Sequence, residues 1–185
     1  MSRPQPALRI VPPEDSNTNP APAAFNLDSL FRRYAPYVAA VAHRLLGRDD
    51  DVDDTVQEVF LVAVRGINAV RDPAAVKAWL ARIAVRVARR KLQKRRLRSF
   101  FGLDDPAVYD SVTDQSASPE HRALLSRVYV VLDGIPANQR VAWALRYVEG
   151  EPLESVATLS GCSLATAKRR IAAASRVLEE AFSDG

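Results

Sequence analysis

The sequence predicts an all-α fold, arranged as two small helical domains joined by a flexible linker. Three observations predict it. Apolar residues recur at helical spacing over long stretches, and no stretch alternates as a half-buried strand would. The apolar fraction, 48%, is enough to build buried cores. One segment, 99–119, bears Gly102, two prolines and several Ser and Asp residues without a sustained period, which is how a linker reads. A chain of 185 residues accommodates two such bodies, because units of about 60 residues still fold.

Residues 1–24 are rich in Pro, Ser and Asn and lack periodicity, so they are expected to be a disordered tail. The first helix is marked by Leu27, Leu30, Phe31, Tyr34, Val38, Val41 and Leu45, with Gly47 as its cap. The second sets Val52, Val56, Val59, Phe60 and Ala63 on one face, with Asp54, Gln57, Glu58 and Leu61 on another, and closes at Gly66. After a loop containing Asp72 and Pro73, a long helix carries Val76, Trp79, Leu80, Ile83, Ala84, Val87, Ala88 and Leu92 as an apolar stripe. These elements form a first domain over 25–98.

Beyond the linker, Leu124, Leu125, Val128, Val131, Leu132 and Ile135 mark a fourth helix. Pro136 can open a fifth, since its missing amide proton costs nothing there. A short helix from about Leu153 to Leu159, the turn Ser160-Gly161-Cys162, and a last helix with Ser163 as N-cap complete the second domain, 120–182. Helix, glycine-bearing turn, helix is the helix-turn-helix arrangement.

The single cysteine, Cys162, excludes an internal disulfide framework, and His43 with His121 are too few for a zinc site. No apolar run approaches the roughly 20 residues of a membrane span. The N-terminus has charge and proline where a secretory signal would be continuously apolar, so a cytoplasmic protein without metal or cofactor is expected.

The balance of 26 Lys+Arg against 22 Asp+Glu says less than its distribution. Arg82, Arg86, Arg89, Arg90, Lys91, Lys94, Arg95, Arg96 and Arg98 share a stretch without acids, while Asp49, Asp50, Asp51, Asp53, Asp54 and Glu58 crowd another. The basic helix calls for an anionic partner, of which nucleic-acid phosphate fits best, or for solvent. In the last helix Thr166, Lys168, Arg169, Arg170 and Arg176 project away from Ala167, Ile171 and Ala174, on the turns that enter the major groove in this motif. A solvated basic face is the plainer alternative. The acidic helix is either a solvated face or a docking surface for a basic partner. No nucleophile, histidine or glycine-rich phosphate loop accompanies its carboxylates, so catalysis is not expected.

The strings DVDDTVQEVFLVAVRGI, VKAWLARIAVRVARRKLQKRR and IPANQRVAWALRYVEGEPLESVATLSGCSLATAKRRI, in this order, resemble the extracytoplasmic-function group of sigma-70 family factors from about Leu27 to Leu178. The resemblance implies an alternative sigma factor that binds core RNA polymerase and directs it to promoter DNA, and that is held by an anti-sigma protein as many members are. The first domain then corresponds to region 2, which binds the polymerase clamp and opens the minus ten element. The second corresponds to region 4, which reads the minus thirty-five element as duplex. By position, Asp51, Asp54, Gln57, Glu58 and Leu61 match the polymerase-docking helix. Asn68 and Arg71 match the loop that captures an unstacked minus ten base, and Trp79, Arg82, Arg86, Arg89 and Arg90 match the strand-holding helix. Ser163, Thr166, Lys168, Arg169 and Arg170 match the minus thirty-five helix.

The chain departs from the family pattern at Val70, where an aromatic is usual, at Arg86, often Asn, and at Arg90, often Asp. Different contacts to the minus ten base follow from these. Ala172-Ala173 replaces a frequent His-Arg, which removes a phosphate contact, and Trp79 sits on the apolar stripe, which favours a core role. Two other functions fit parts of the sequence: a helix-turn-helix regulator that never docks polymerase, and a sigma-like protein that docks without opening promoters.

Overall fold

In a computed structural model the described residues are 27–103 and 118–183. The expected tail, 1–24, and most of the expected linker, 104–117, lie outside them. The described residues form seven α-helices and no strand: α1 (Leu27–Leu46), α2 (Val52–Gly66), α3 (Val76–Phe100), α4 (Pro119–Asp133), α5 (Ala137–Tyr147), α6 (Leu153–Ser160) and α7 (Leu164–Ser183). Two 3-10 turns, Ile67–Ala69 and Pro73–Ala75, connect α2 to α3.

Local chemistry accounts for the boundaries. Gly47, at φ 71°, lets the chain turn out of α1 while its amide donates to His43 O at 2.7 Å. Asp72 accepts from the Ala74 amide at 2.8 Å ahead of Pro73, and Ser118 accepts from the His121 amide at 3.3 Å ahead of Pro119. Gly161, at φ 62°, ends α6. The long helix runs through Ser99 to Phe100, past the expected boundary, because nothing before Gly102 breaks it.

The first three helices pack pairwise around Val38, Leu45, Val59, Leu80 and Val87, all nearly inaccessible to solvent. In the second half, α5, α6 and α7 pack on one another through Val141, Leu145, Val156, Ala167 and Ile171, while Tyr129 and Leu132 of α4, with Ile135 just beyond it, pack with Ala174 and Leu178. The two halves are not separate bodies joined only by a tether. The core of α1–α3 continues without interruption into that of α5–α7, because α3 touches α1 and α2 and also α5 and α6.

The composition of α3 explains how. At about 100° per residue, its buried positions span an arc of roughly 200°, about twice the width needed to pack on one side. Val85, outside the expected stripe, is buried and lines the cleft beside Leu159 and Ser160 of α6.

Candidate functional site

The acidic and basic clusters, distant in sequence, meet across a polar cleft of about 530 Å³. Helical spacing aligns Asp54 and Glu58 of α2 with Asp51 at its N-cap, and spacing on α3 sets Arg90, Lys91 and Arg95 opposite them. Glu58 pairs with Arg90, Asp54 with Lys91 at 3.9 Å, and Asp51 with Arg95 at 2.5 Å. The expectation that no acid lies near these arginines is corrected here: α2 supplies them. What α2 leaves outward is the exposed Asp54 and Gln57 with Leu61, which is 64% exposed. An uncovered leucine amid carboxylates is suited to a partner that offers both an apolar contact and positive charge.

On α3 the basic residues divide by face. Arg82 and Arg86 are exposed, whereas Arg90 and Arg95 turn to α2, and Arg89 donates to Ser160 O at 3.3 Å. Trp79 is half-buried and packs on the core, as expected from its place on the stripe. It also explains Gly66: a Cβ there would lie 3.1 Å from the indole. Asn68 and Arg71 are exposed on the loop before α3, while Val70 turns toward the core. Trp79, Arg82, Arg86 and Arg89 line one wall of a second cleft, about 410 Å³, whose other wall is Leu159, Ser160 and Gly161 of the helix-turn-helix. The α3 candidates Trp79, Arg82, Arg86 and Arg89 are therefore brought against the end of α6 and its turn.

The start of α7 is built as expected. Ser163 accepts from the Thr166 amide at 3.2 Å, and its hydroxyl lies 2.9 Å from that of Thr166. Ala167, Ile171, Ala174 and Leu178 are buried, which turns Lys168 and Arg169 to solvent with Arg170 partly so. Among the described residues these three have no ion-pair partner. Cys162 is half-buried and packs on the core from the turn.

A third cluster was not foreseen. Arg140 is 1% exposed and reaches from α5 to the C-terminal end of α1, donating to Leu45 O at 3.3 Å and Leu46 O at 2.5 Å while pairing with Asp133. The Tyr129 hydroxyl donates to Arg44 O, and Arg44 makes a two-pronged pair with Glu149 at 2.5 and 3.0 Å. Arg95 adds Leu46 O at 3.4 Å and Asp133 at 3.7 Å. The last carbonyls of a helix lack partners within it and carry partial negative charge, so a guanidinium suits this place. Burial pushes the Arg140 guanidinium down to about 10, still charged at neutral pH, and pushes the Tyr129 phenol up to about 12. A Cβ at Gly47 would overlap the Tyr129 ring. One signal was present: Ala137, Arg140, Val141 and Ala144 share one helical face, placing an arginine on an apolar stripe.

Comparison with known proteins adds a second line. A family profile described as Sigma-70 region 2 matches residues 30–98. The ECF RNA polymerase sigma-E factor of Haemophilus influenzae is 33% identical over 165 residues, 84% of this chain and 86% of that protein. The protein of the same description in Escherichia coli K12 is 31% identical, covering 80% of this chain and 81% of its own. Among solved structures, the Bartonella quintana sigma factor RpoE in complex with the anti-sigma factor NepR aligns over 83% of this chain and 94% of that one, with a TM-score of 0.62 at 24% identity. CnrH in complex with the cytosolic domain of CnrY aligns over 85% and 88%, with a TM-score of 0.56 at 23% identity. Both share the all-helical fold.

Proposed function

Because this chain belongs to the sigma-70 family of RNA polymerase sigma factors, in its extracytoplasmic-function group, we propose a division of labour among its surfaces. It is an alternative sigma factor that directs transcription initiation. In our reading residues 25–98 act as region 2, 99–119 as the linker and 120–182 as region 4. Asp51, Asp54, Gln57, Glu58 and Leu61 dock core RNA polymerase. Asn68, Arg71, Trp79, Arg82, Arg86, Arg89 and Arg90 hold the opened minus ten element, and Ser163, Thr166, Lys168, Arg169 and Arg170 read the minus thirty-five duplex. The partners are core polymerase, promoter DNA and an anti-sigma protein, and the setting is the cytoplasm.

The observation that carries this reading is the presence, on one chain, of a helix-turn-helix with solvent-facing Lys168 and Arg169 and of a separate helix presenting exposed Leu61 among acids. A regulator that binds DNA alone has no use for the second surface. The protein then performs no catalysis. It selects DNA conformations: a holoenzyme that binds separated strands better than duplex offsets the roughly 1.4 kcal/mol per step lost in unstacking. The test is reconstitution with purified core polymerase, followed by run-off transcription and selection of promoters from a random library. Transcripts from a discrete promoter class are expected, and absence of core binding by folded protein would end the reading. One observation favours a second function. Val70 stands at the usually aromatic loop position and packs toward the core, which suits a protein that docks without melting DNA. Core binding with no transcript would select that alternative.

A further inference from the structure

We infer that the cleft between α3 and the turn after α6 binds a small amphipathic acid, a molecule with an aromatic or apolar body and one carboxylate, sulfonate or phosphate group. Its volume is about 410 Å³. Small-molecule sites run from roughly 300 to 1,000 Å³, favour the joins between helical units, and set a few converging polar groups in apolar walls. The walls here are Val62, Trp79, Ile83, Val85 and Leu159, and Gly66 and Gly161 add no side chain to fill the space. The charge is all of one sign. Arg82, Arg86 and Arg89 follow one another at helical spacing along one face, and no carboxylate lines the cleft. In the cleft between α2 and α3, by contrast, Asp51, Asp54 and Glu58 answer the cations.

Two further observations point to a guest. Among the described residues Arg82 and Arg86 are exposed and have no ion-pair partner. Ser160, which also lines the cleft, is 6% exposed, and its buried hydroxyl has no hydrogen-bond partner among the described residues. Buried hydroxyls are rarely left so, and an acceptor held in the cleft would complete this one. The same features select the chemistry. An inorganic anion would leave the indole and the aliphatic walls in water, and a neutral apolar molecule would leave the guanidiniums unmatched. An unstacked nucleotide has the charge, but its base edge calls for several donors and acceptors where the walls offer one hydroxyl. In a small amphipathic acid the head meets Arg82 and Arg86 in the two-pronged manner of guanidinium and carboxylate, while the body covers Trp79. Because these arginines are also assigned to the opened minus ten strand, the bound acid would compete with that strand. That consequence rests on the proposed function, and the site itself does not.

The test is a fluorescence titration of the full chain with anilinonaphthalene sulfonate, a probe of two ring systems and one anionic group. Saturable binding at one site per chain is expected. Arg82→Gln/Arg86→Gln should weaken it by about tenfold or more, the loss that accompanies one charge-assisted hydrogen bond. Lys168→Gln/Arg169→Gln makes the same change of charge on α7 and should leave the affinity unchanged. Inorganic sulfate and the neutral phenylnaphthylamine each carry half of the chemistry, and both should displace the probe far more weakly than naphthalene sulfonate does. Equal weakening by the two double variants, or undiminished affinity in Arg82→Gln/Arg86→Gln, would overturn the inference. Single-stranded DNA should also displace the probe. Loss of the probe in the α3 variant without displacement by DNA would leave the site standing and reject the assignment of α3 to the minus ten strand.

Discussion

Two helices of this protein, α3 and α7, are rich in arginine, and they use it differently. On α7 the apolar face rests on its own half and the cations are left to solvent. On α3 the buried arc is wider, about 200° at about 100° per residue, both halves pack on it, and half of its cations find carboxylates or carbonyls within the fold. Positive charge in sequence therefore measures capacity to bind an anion, whereas availability depends on what the tertiary structure lays across it. By that measure the cations of α7 are available to an anionic partner and those of α3 only in part.

The comparison can be broken most decisively at α7. Arg169→Ala with Arg170→Ala should weaken transcription from cognate promoters by about 2–6 kcal/mol, at roughly 1–3 kcal/mol for each contact. Core binding and thermal stability should stay within error, as measured by run-off yield, co-purification and melting. A large loss of stability would show that these side chains serve the fold. At the other helix, the cover is expected to respond to alkali. Tyr129 keeps its proton in the fold up to about 12, while an unfolded tyrosine releases it near its ordinary value of 10.0. Between those values the folded state holds more protons, so stability falls as pH rises. Arg140 acts oppositely, because its folded value is lowered to about 10. The difference isolates the phenol: the advantage of wild type over Tyr129→Phe in denaturant unfolding should shrink by about 2–3 kcal/mol from pH 10 to 12. A constant advantage would place Tyr129 in water.

Smaller effects sharpen the contrast within α3. Arg86→Ala should lower the slope of log affinity for forked promoter DNA against log salt by about 1, with no change in melting. Arg90→Ala removes an exposed partner of Glu58 and should cost less than about 1 kcal/mol of stability, as surface pairs do. If Arg90→Ala impairs DNA binding more than Arg86→Ala, the division of α3 into free and committed arcs is wrong.

Most of the secondary structure was legible. Gly47, Gly66, Gly161 and Ser163 mark helix ends because the chemistry that ends helices is local, and the stripes of α1, α2 and α7 are buried as their periodicity predicts. The solvent-facing placement of Lys168 and Arg169, and of Leu61 off the buried face of α2, was legible for the same reason. The union of the halves was not. It depends on Arg140, Asp133, Glu149 and Arg95, charged residues that pattern reading assigns to solvent, and on pairings across as many as 105 positions. The second packing side of α3 was present as Val85, but a buried valine beside arginines reads as noise until α6 is set against it. Proximity of Glu58 to Arg90 was hidden likewise, since the sign of a cluster can be read from a chain and its neighbours in space cannot.

The carbonyls that finish α1 borrow donors from outside their own domain: Tyr129 for Arg44, and Arg140 for Leu45 and Leu46. Separation would hand them to water, leaving Arg95 as the donor that stays behind. The last turn of α1 should then fray, and amides such as that of Gly47, bonded to His43 O when the turn is intact, should trade deuterium faster. A single peptide from this turn, followed by mass spectrometry, would act as a gauge of how long each molecule spends apart.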